Sequence, residues 1–140
     1  MQINTSEFRE QLHKKSLKIT ASRLSIYKVL VAAKGPLTIQ EITKQIPDIH
    51  FVSVYRSVDA LFKAGLIKQV PRGFKNHFEL SDDFKPHHHH ATCEICGKSR
   101  EVEDSVVEKM LQQLTKRAGL EPTKHHFELF GICQQCRKSR

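Results

Sequence analysis

The four cysteines of this 140-residue chain form two Cys-x-x-Cys pairs, Cys93/Cys96 and Cys133/Cys136, and none lies elsewhere. No other feature restricts the fold as strongly. Each pair makes a tight knuckle, and two knuckles supply the four thiolates that a tetrahedral structural zinc prefers. The pairs are separated by 36 residues. That is more than a compact zinc ribbon uses, so a shared metal would close a whole subdomain. Gly97 and Gly131 flank the knuckles and suit tight turns. A redox dithiol is the competing reading. The N-terminus lacks the basic-then-apolar pattern of a signal peptide. The apolar runs, such as Val29 to Ala33, fall far short of the ~20 residues of a membrane span. We therefore expect a cytoplasmic chain without a membrane partner. Disulfides are disfavoured in that compartment, which favours metal.

Charge suggests a partner. The chain carries 23 Lys and Arg against 15 Asp and Glu, a formal net charge of +8. Residues 1–86 hold 14 basic and 8 acidic residues, while residues 87–140 hold 9 and 7. The N-terminal part is thus the candidate polyanion binder.

The local signals in that part outline four helices and a hairpin. Residues 5–15 form a first helix with Phe8 and Leu12 on one face. Thr20 caps a second, to about Ala33, with Leu24, Tyr27, Leu30 and Val31 inward. Thr38 and Glu41 make a capping box for a third helix, which buries Ile42 and Ile46 and stops at Pro47. Ser53 is the expected cap of a fourth, with Val54, Val58, Leu61 and Phe62 inward and Gly65 at its end. Leu66–Val70 and Asn76–Leu80 read as strands joined by a turn at Pro71-Arg72-Gly73. This is the outline of a winged helix-turn-helix, with the third and fourth helices as the pair. The outward face of the fourth helix presents Ser53, Tyr55, Arg56 and Ser57 in its first turn, with Asp59 beyond. Arg56 can donate two hydrogen bonds to guanine, and Tyr55 can touch a thymine methyl or a phosphate. Lys18, Ser22 and Arg23 lie at the start of the second helix, placed for backbone or minor-groove contacts.

Residues 81–86 read as a polar linker. Beyond it, Ser105 to Glu108 suggests a capping box opening a helix to about Ala118. Thr123–Ile132 reads as a strand delivering the second cysteine pair, with the strand around Lys98–Glu103 beside it. Between linker and knuckle lie His87, His88, His89 and His90. In an extended run, His87 and His89 face one way and His88 and His90 the other, so one strand can serve two metal sites. Candidate partners are His77, Glu79, Asp82, Glu108, His125 and His126.

The motifs follow in a recognisable order: Leu17-Lys18-Ile19-Thr20 with Arg23, Ser53 through Val58, Ala64-Gly65-Leu66-Ile67, the four histidines, Cys93 through Lys98, and Gly131 through Arg137. Over nearly its whole length the chain resembles the ferric-uptake-regulator family of bacterial metal-responsive repressors. The resemblance implies an α+β protein: a winged-helix DNA-binding domain over residues 1–82 and a small α/β dimerisation and metal-binding domain over 83–140. It implies a homodimer on a palindromic double-stranded DNA operator. Lys18 matches a minor-groove lysine, Tyr55 and Arg56 match recognition-helix residues, and the four cysteines match structural zinc ligands. His88, His90 and Glu79 match a regulatory site. The histidine that iron-type members supply before the third helix is missing near Pro36. The cysteine that zinc-responsive members place after the wing is missing too, with Ser81, Asp82 and Asp83 there instead. Lys68 stands where some of that branch have an acidic ligand, which leaves His77 or Asp82 as substitutes. His87, His89, Glu108 and His125 match a further metal site.

Imidazole-rich sites with few carboxylates suit Zn2+ better than Fe2+. The expectation is a zinc-responsive repressor with a structural Zn2+ and a second, regulatory divalent metal, Zn2+ or Fe2+. Iron or peroxide sensing is the alternative, and a zinc-ribbon adaptor for protein or RNA a distant one. An enzyme is not expected: four cysteines close the strongest site, whereas catalytic zinc keeps an open position.

Overall fold

The computed structural model describes residues 4–72, 74–102, 105–123, 125 and 127–139, with Pro71 and Arg72 as backbone only. It divides into two compact units, Met1–Pro86 and His87–Arg140.

The first unit begins with α1 (Thr5–Lys14), whose Asn4 side chain accepts from the Glu7 N–H at 3.2 Å. Phe8 and Leu12 are fully buried. The Phe8 ring stacks on Tyr27 with centroids 4.2 Å apart, and Phe84 packs edge-on against Tyr27. Phe84 belongs to the expected linker, so its aromatic contact carries the first unit four residues beyond the expected boundary at 82. Helix α2 (Ala21–Ala32) is capped by Thr20 as expected, and Ile26 joins Tyr27 and Leu30 in the core. Helix α3 (Ile39–Gln45) has both halves of its capping box: Thr38 Oγ1 accepts from the Glu41 N–H, and Glu41 Oε2 accepts from the Thr38 N–H.

Helix α4 (Phe51–Lys63) is capped three residues before the expected position. His50 is the N-cap, its Nδ1 accepting from the Val52 N–H at 3.3 Å, and Ser53 sits within the first turn. Imidazole is an uncommon cap, so the serine was the stronger sequence signal. At the other end Gly65 adopts φ +74°, and the Leu66 N–H returns to the Leu61 carbonyl. Strands β1 (Ile67–Arg72) and β2 (Lys75–Leu80) form an antiparallel hairpin, pairing Lys68 with Glu79. Pairing runs to Arg72–Lys75, so Pro71 and Arg72 are strand rather than turn, and Gly73 lies outside the described residues. Leu37 adds a short bridge to Phe78, which the sequence reading missed. Val54, Val58, Leu61, Leu66 and Leu80 complete the core with Ile26 and Ile42. Each such side chain contributes about 2 kcal/mol by leaving water.

The second unit is a three-stranded sheet, β3 (His89–Cys93), β4 (Ser99–Val102) and β5 (Glu128–Gly131), with helices α5 (Ser105–Arg117) and α6 (Gln134–Lys138). The order is β4-β3-β5: β3 is central, antiparallel to β4 and parallel to β5. The expected pairing of the Lys98–Glu103 strand with the last strand is therefore wrong. The histidine-bearing strand is the buried one and takes the middle position. The last strand is also shorter than expected, and Gly131 ends it, paired with Cys93, instead of making a turn. Gly97 does make a turn, at φ +69°. Helix α5 includes Ser105 itself, so Ser105 is a helical residue and not the expected cap. Val106, Met110 and Leu114 of α5 and Leu129 and Phe130 of β5 are exposed. Among the described residues no helix is long and apolar enough to cross a membrane.

Candidate metal centres and nucleic-acid interface

The end of β3 and the start of α6 bring the two knuckles together. Gly97 closes the first by donating its N–H to the Cys93 carbonyl. In the second, Cys133 is the N-cap of α6 and its carbonyl accepts from the Arg137 N–H. The four sulfurs all lie within 4.8 Å of one another, and those of Cys96 and Cys133 are 3.8 Å apart. Four sulfurs at a Zn–S distance of about 2.3 Å stand about 3.8 Å apart in a tetrahedron. The thiols are already polarised. Backbone N–H groups of Cys133 and then Cys96 pull the Cys93 thiol down to about 6. The Cys136 N–H, above all, lowers Cys133. Cys136, whose proton is shared with the Cys133 sulfur, is pushed up to about 12. Four thiolates at this spacing would repel one another, so full ionisation of the cluster needs a cation.

A second cluster joins β3 to α5. His89 Nε2 is 2.7 Å from Glu108 Oε1, His125 Nε2 is 3.2 Å from the same oxygen, and His87 Nε2 is 3.3 Å from it. The His87 and His125 Nε2 atoms are 2.8 Å apart. Three imidazole nitrogens and one carboxylate oxygen thus point at one centre. Donors held at 2.0–2.2 Å from a tetrahedral zinc stand about 3.3 Å apart, so a metal fits after a slight expansion. Burial alone would raise the Glu108 carboxyl, but the His89 hydrogen bond and the charges of His125 and His87 hold it below its ordinary value. Glu108 is therefore turned to the histidines. His126 lies outside the described residues.

His88 and His90 share the other face of the run, both buried, with ring centroids 4.9 Å apart. In the first unit, Glu79 is buried in β2. Asp82 accepts from Lys68 Nζ at 2.7 Å, and His77 Nδ1 lies 3.2 Å from the Lys75 carbonyl oxygen. Lys68 engages Asp82 although Asp82 lies two residues beyond the last hairpin pair, Ile67 with Leu80, so no pairing pattern in the sequence signals the contact.

On the winged-helix unit, Ser53, Tyr55 and Arg56 are exposed on the first turns of α4, and Lys18 is exposed before α2. The other two candidates are tied inward. Ser22 Oγ is 2.8 Å from Ser57 Oγ, and the Arg23 guanidinium donates to the Lys18 carbonyl. Arg23 thus holds the segment that carries Lys18. Ser57, expected on the outward face of α4, is instead buried, because its hydroxyl bonds to Ser22 on the side facing α2.

Residues 14–130 match the model of the ferric uptake regulator family. The ferric uptake regulation protein of Legionella pneumophila is 30% identical over 133 residues, covering 91% of this chain and 96% of that protein. The peroxide operon regulator of Bacillus subtilis is 28% identical over 136 residues, covering 92% and 90%. Among solved structures, the Helicobacter pylori ferric uptake regulator, which has three functional metal-binding sites, superposes with a TM-score of 0.80 at 26% identity, covering 95% of this chain and 91% of that one. The helices-then-sheet architecture, the cysteine cluster and these likenesses agree: the chain belongs to the ferric uptake regulator family, whose members are metal-responsive transcription regulators and not enzymes.

Proposed function

We propose that this protein is a zinc-responsive repressor that binds a palindromic operator as a homodimer. The observation that carries the metal is the imidazole-rich run on both its faces, His88 and His90 buried together and His87 and His89 converging with His125 on Glu108. A donor set of that composition favours zinc over harder ions. The cysteine cluster holds a structural Zn2+. The regulatory metal binds His88 and His90 together with a donor from the winged helix, for which the family resemblance gives Glu79. Domain roles follow: residues 1–86 bind DNA and 87–140 dimerise and hold metal.

The exposed stripe of Val106, Met110 and Leu114 and the apolar edge strand β5 support the homodimer. An open apolar edge in water invites a second copy. Exposed Ser53, Tyr55, Arg56 and Lys18 support the DNA-binding role, with Ser22 and Arg23 holding the segment that presents Lys18. Metal that ligates both domains in one arrangement shifts the population towards it, and operator DNA must tighten metal in return. The names of the Legionella and Bacillus relatives favour a second reading, iron or peroxide sensing. To separate them, operator duplexes selected from a random pool are bound by chelated protein at buffered free Zn2+, Mn2+ and anaerobic Fe2+. Zn2+ binds such sites more tightly than Fe2+ whatever the physiological metal, so zinc sensing predicts activation by Zn2+ and none by saturating Fe2+ or Mn2+. Activation by saturating Fe2+ or Mn2+ refutes it.

A further inference from the structure

Lys68 and Glu79 face each other across the wing hairpin, paired in register. Lys68 Nζ lies 3.4 Å from Glu79 Oε1 and 2.7 Å from Asp82 Oδ1. The Glu79 side chain is only 7% exposed, against 30% for Lys68 and 49% for Asp82. A carboxylate this buried is costly to keep ionised without a cation. We infer that Lys68 is an internal counter-cation that competes with divalent metal for Glu79, and that Asp82 is the acceptor to which it retreats when metal binds. The inference rests on the reading of Glu79 as a regulatory ligand.

The geometry argues for competition rather than simple pairing. One ammonium serves two carboxylates, and its shorter contact is to the more hydrated one. An ammonium and a divalent ion on one carboxylate repel strongly in a poorly solvated site. The flexible four-carbon stem of lysine lets the ammonium pass wholly to Asp82 with little backbone cost. Lys68 thereby sets how much free metal the site needs, and Asp82 lowers that demand. The two residues have opposite effects on metal affinity although they form one ion pair.

The test is a Mn2+ titration of the full chain, with its cysteine-bound metal retained, followed by electron paramagnetic resonance. Glu79→Gln identifies the binding phase that depends on Glu79. Lys68→Met is expected to tighten that phase by about tenfold or more, and Asp82→Asn to weaken it by about threefold to tenfold. In the double variant Lys68→Met/Asp82→Asn the weakening disappears, because the cation that Asp82 restrains is gone. If Glu79→Gln removes no phase, the ligand reading fails and the inference with it. If the phase is lost but Lys68→Met leaves it unshifted or weaker, the inference alone fails. Weakening by Asp82→Asn that persists in the double variant makes Asp82 a ligand and also overturns it.

Discussion

Loading zinc on the four cysteines must expel protons, and the thiol shifts in the cluster set how the number expelled changes with pH. Metal binds thiolate, so the pH slope of log affinity equals the number of protons displaced. Cys93, at about 6, is roughly 97% thiolate at pH 7.5 and loses almost nothing there. Cys136, at about 12, is wholly protonated and must give up about one proton. Cys133 is lowered and adds less. Between pH 7 and 8.5, log affinity should therefore climb by at least about one unit per pH unit, about 1.4 kcal/mol each, on account of Cys136 alone. As pH falls through about 6, Cys93 takes up its own proton and the slope steepens by about one further unit. The assay is competition of apo protein with a chromophoric chelator from pH 5 to 8.5, corrected for chelator protonation. A flat profile between pH 7 and 8.5, or one that does not steepen towards pH 5, refutes the division of protons among these sulfurs.

Further expectations concern other parts of the molecule. Glu41→Ala should cost about 1 kcal/mol at pH 7, read from urea unfolding by tyrosine fluorescence, since Tyr27 and Tyr55 are the chain's two tyrosines and Trp is absent. Burial alone would raise the Glu41 carboxyl, but bonds from Thr38 hold it below its ordinary 4.5. Its contribution is complete above 4.5 and is lost as pH falls through the lower folded value, so the wild-type advantage should shrink in acid; an undiminished gap there contradicts the cap. Arg56→Ala should abolish operator-specific binding in anisotropy titrations while dimer mass and metal content stay unchanged; loss of the dimer argues against the interface role. His88→Ala and His90→Ala should each make operator binding insensitive to added metal, and retained sensitivity in both removes them from the regulatory site.

The elements with strong local physics were legible from residue order. Thr20, the Thr38–Glu41 box and Gly65 act as caps because their bonds form within one turn. The alternation of the four histidines follows from strand geometry, which separates the His87–His89 pair from the His88–His90 pair. Long-range features were less legible. The central place of β3 depends on which strand is most buried, a property of the assembled sheet. His50 outcompeted Ser53 as a cap through a local bond that composition disfavours. The Lys68–Asp82 bond spans 14 residues and reaches beyond the paired strands, and the Ser22–Ser57 bond spans 35. Glu108 was noticed twice, as a capping residue and as a ligand, and the structure turns it to the histidines.

Metal content per chain is the most direct test that the two clusters are metal centres. Untagged protein prepared without a metal column is analysed for elements before and after a mild chelator wash. One zinc should survive the wash, held by Cys93, Cys96, Cys133 and Cys136, and at least one removable metal should be lost in His89→Ala or His88→Ala. Protein that holds no zinc through the wash, with four thiols freely titratable, would contradict this expectation.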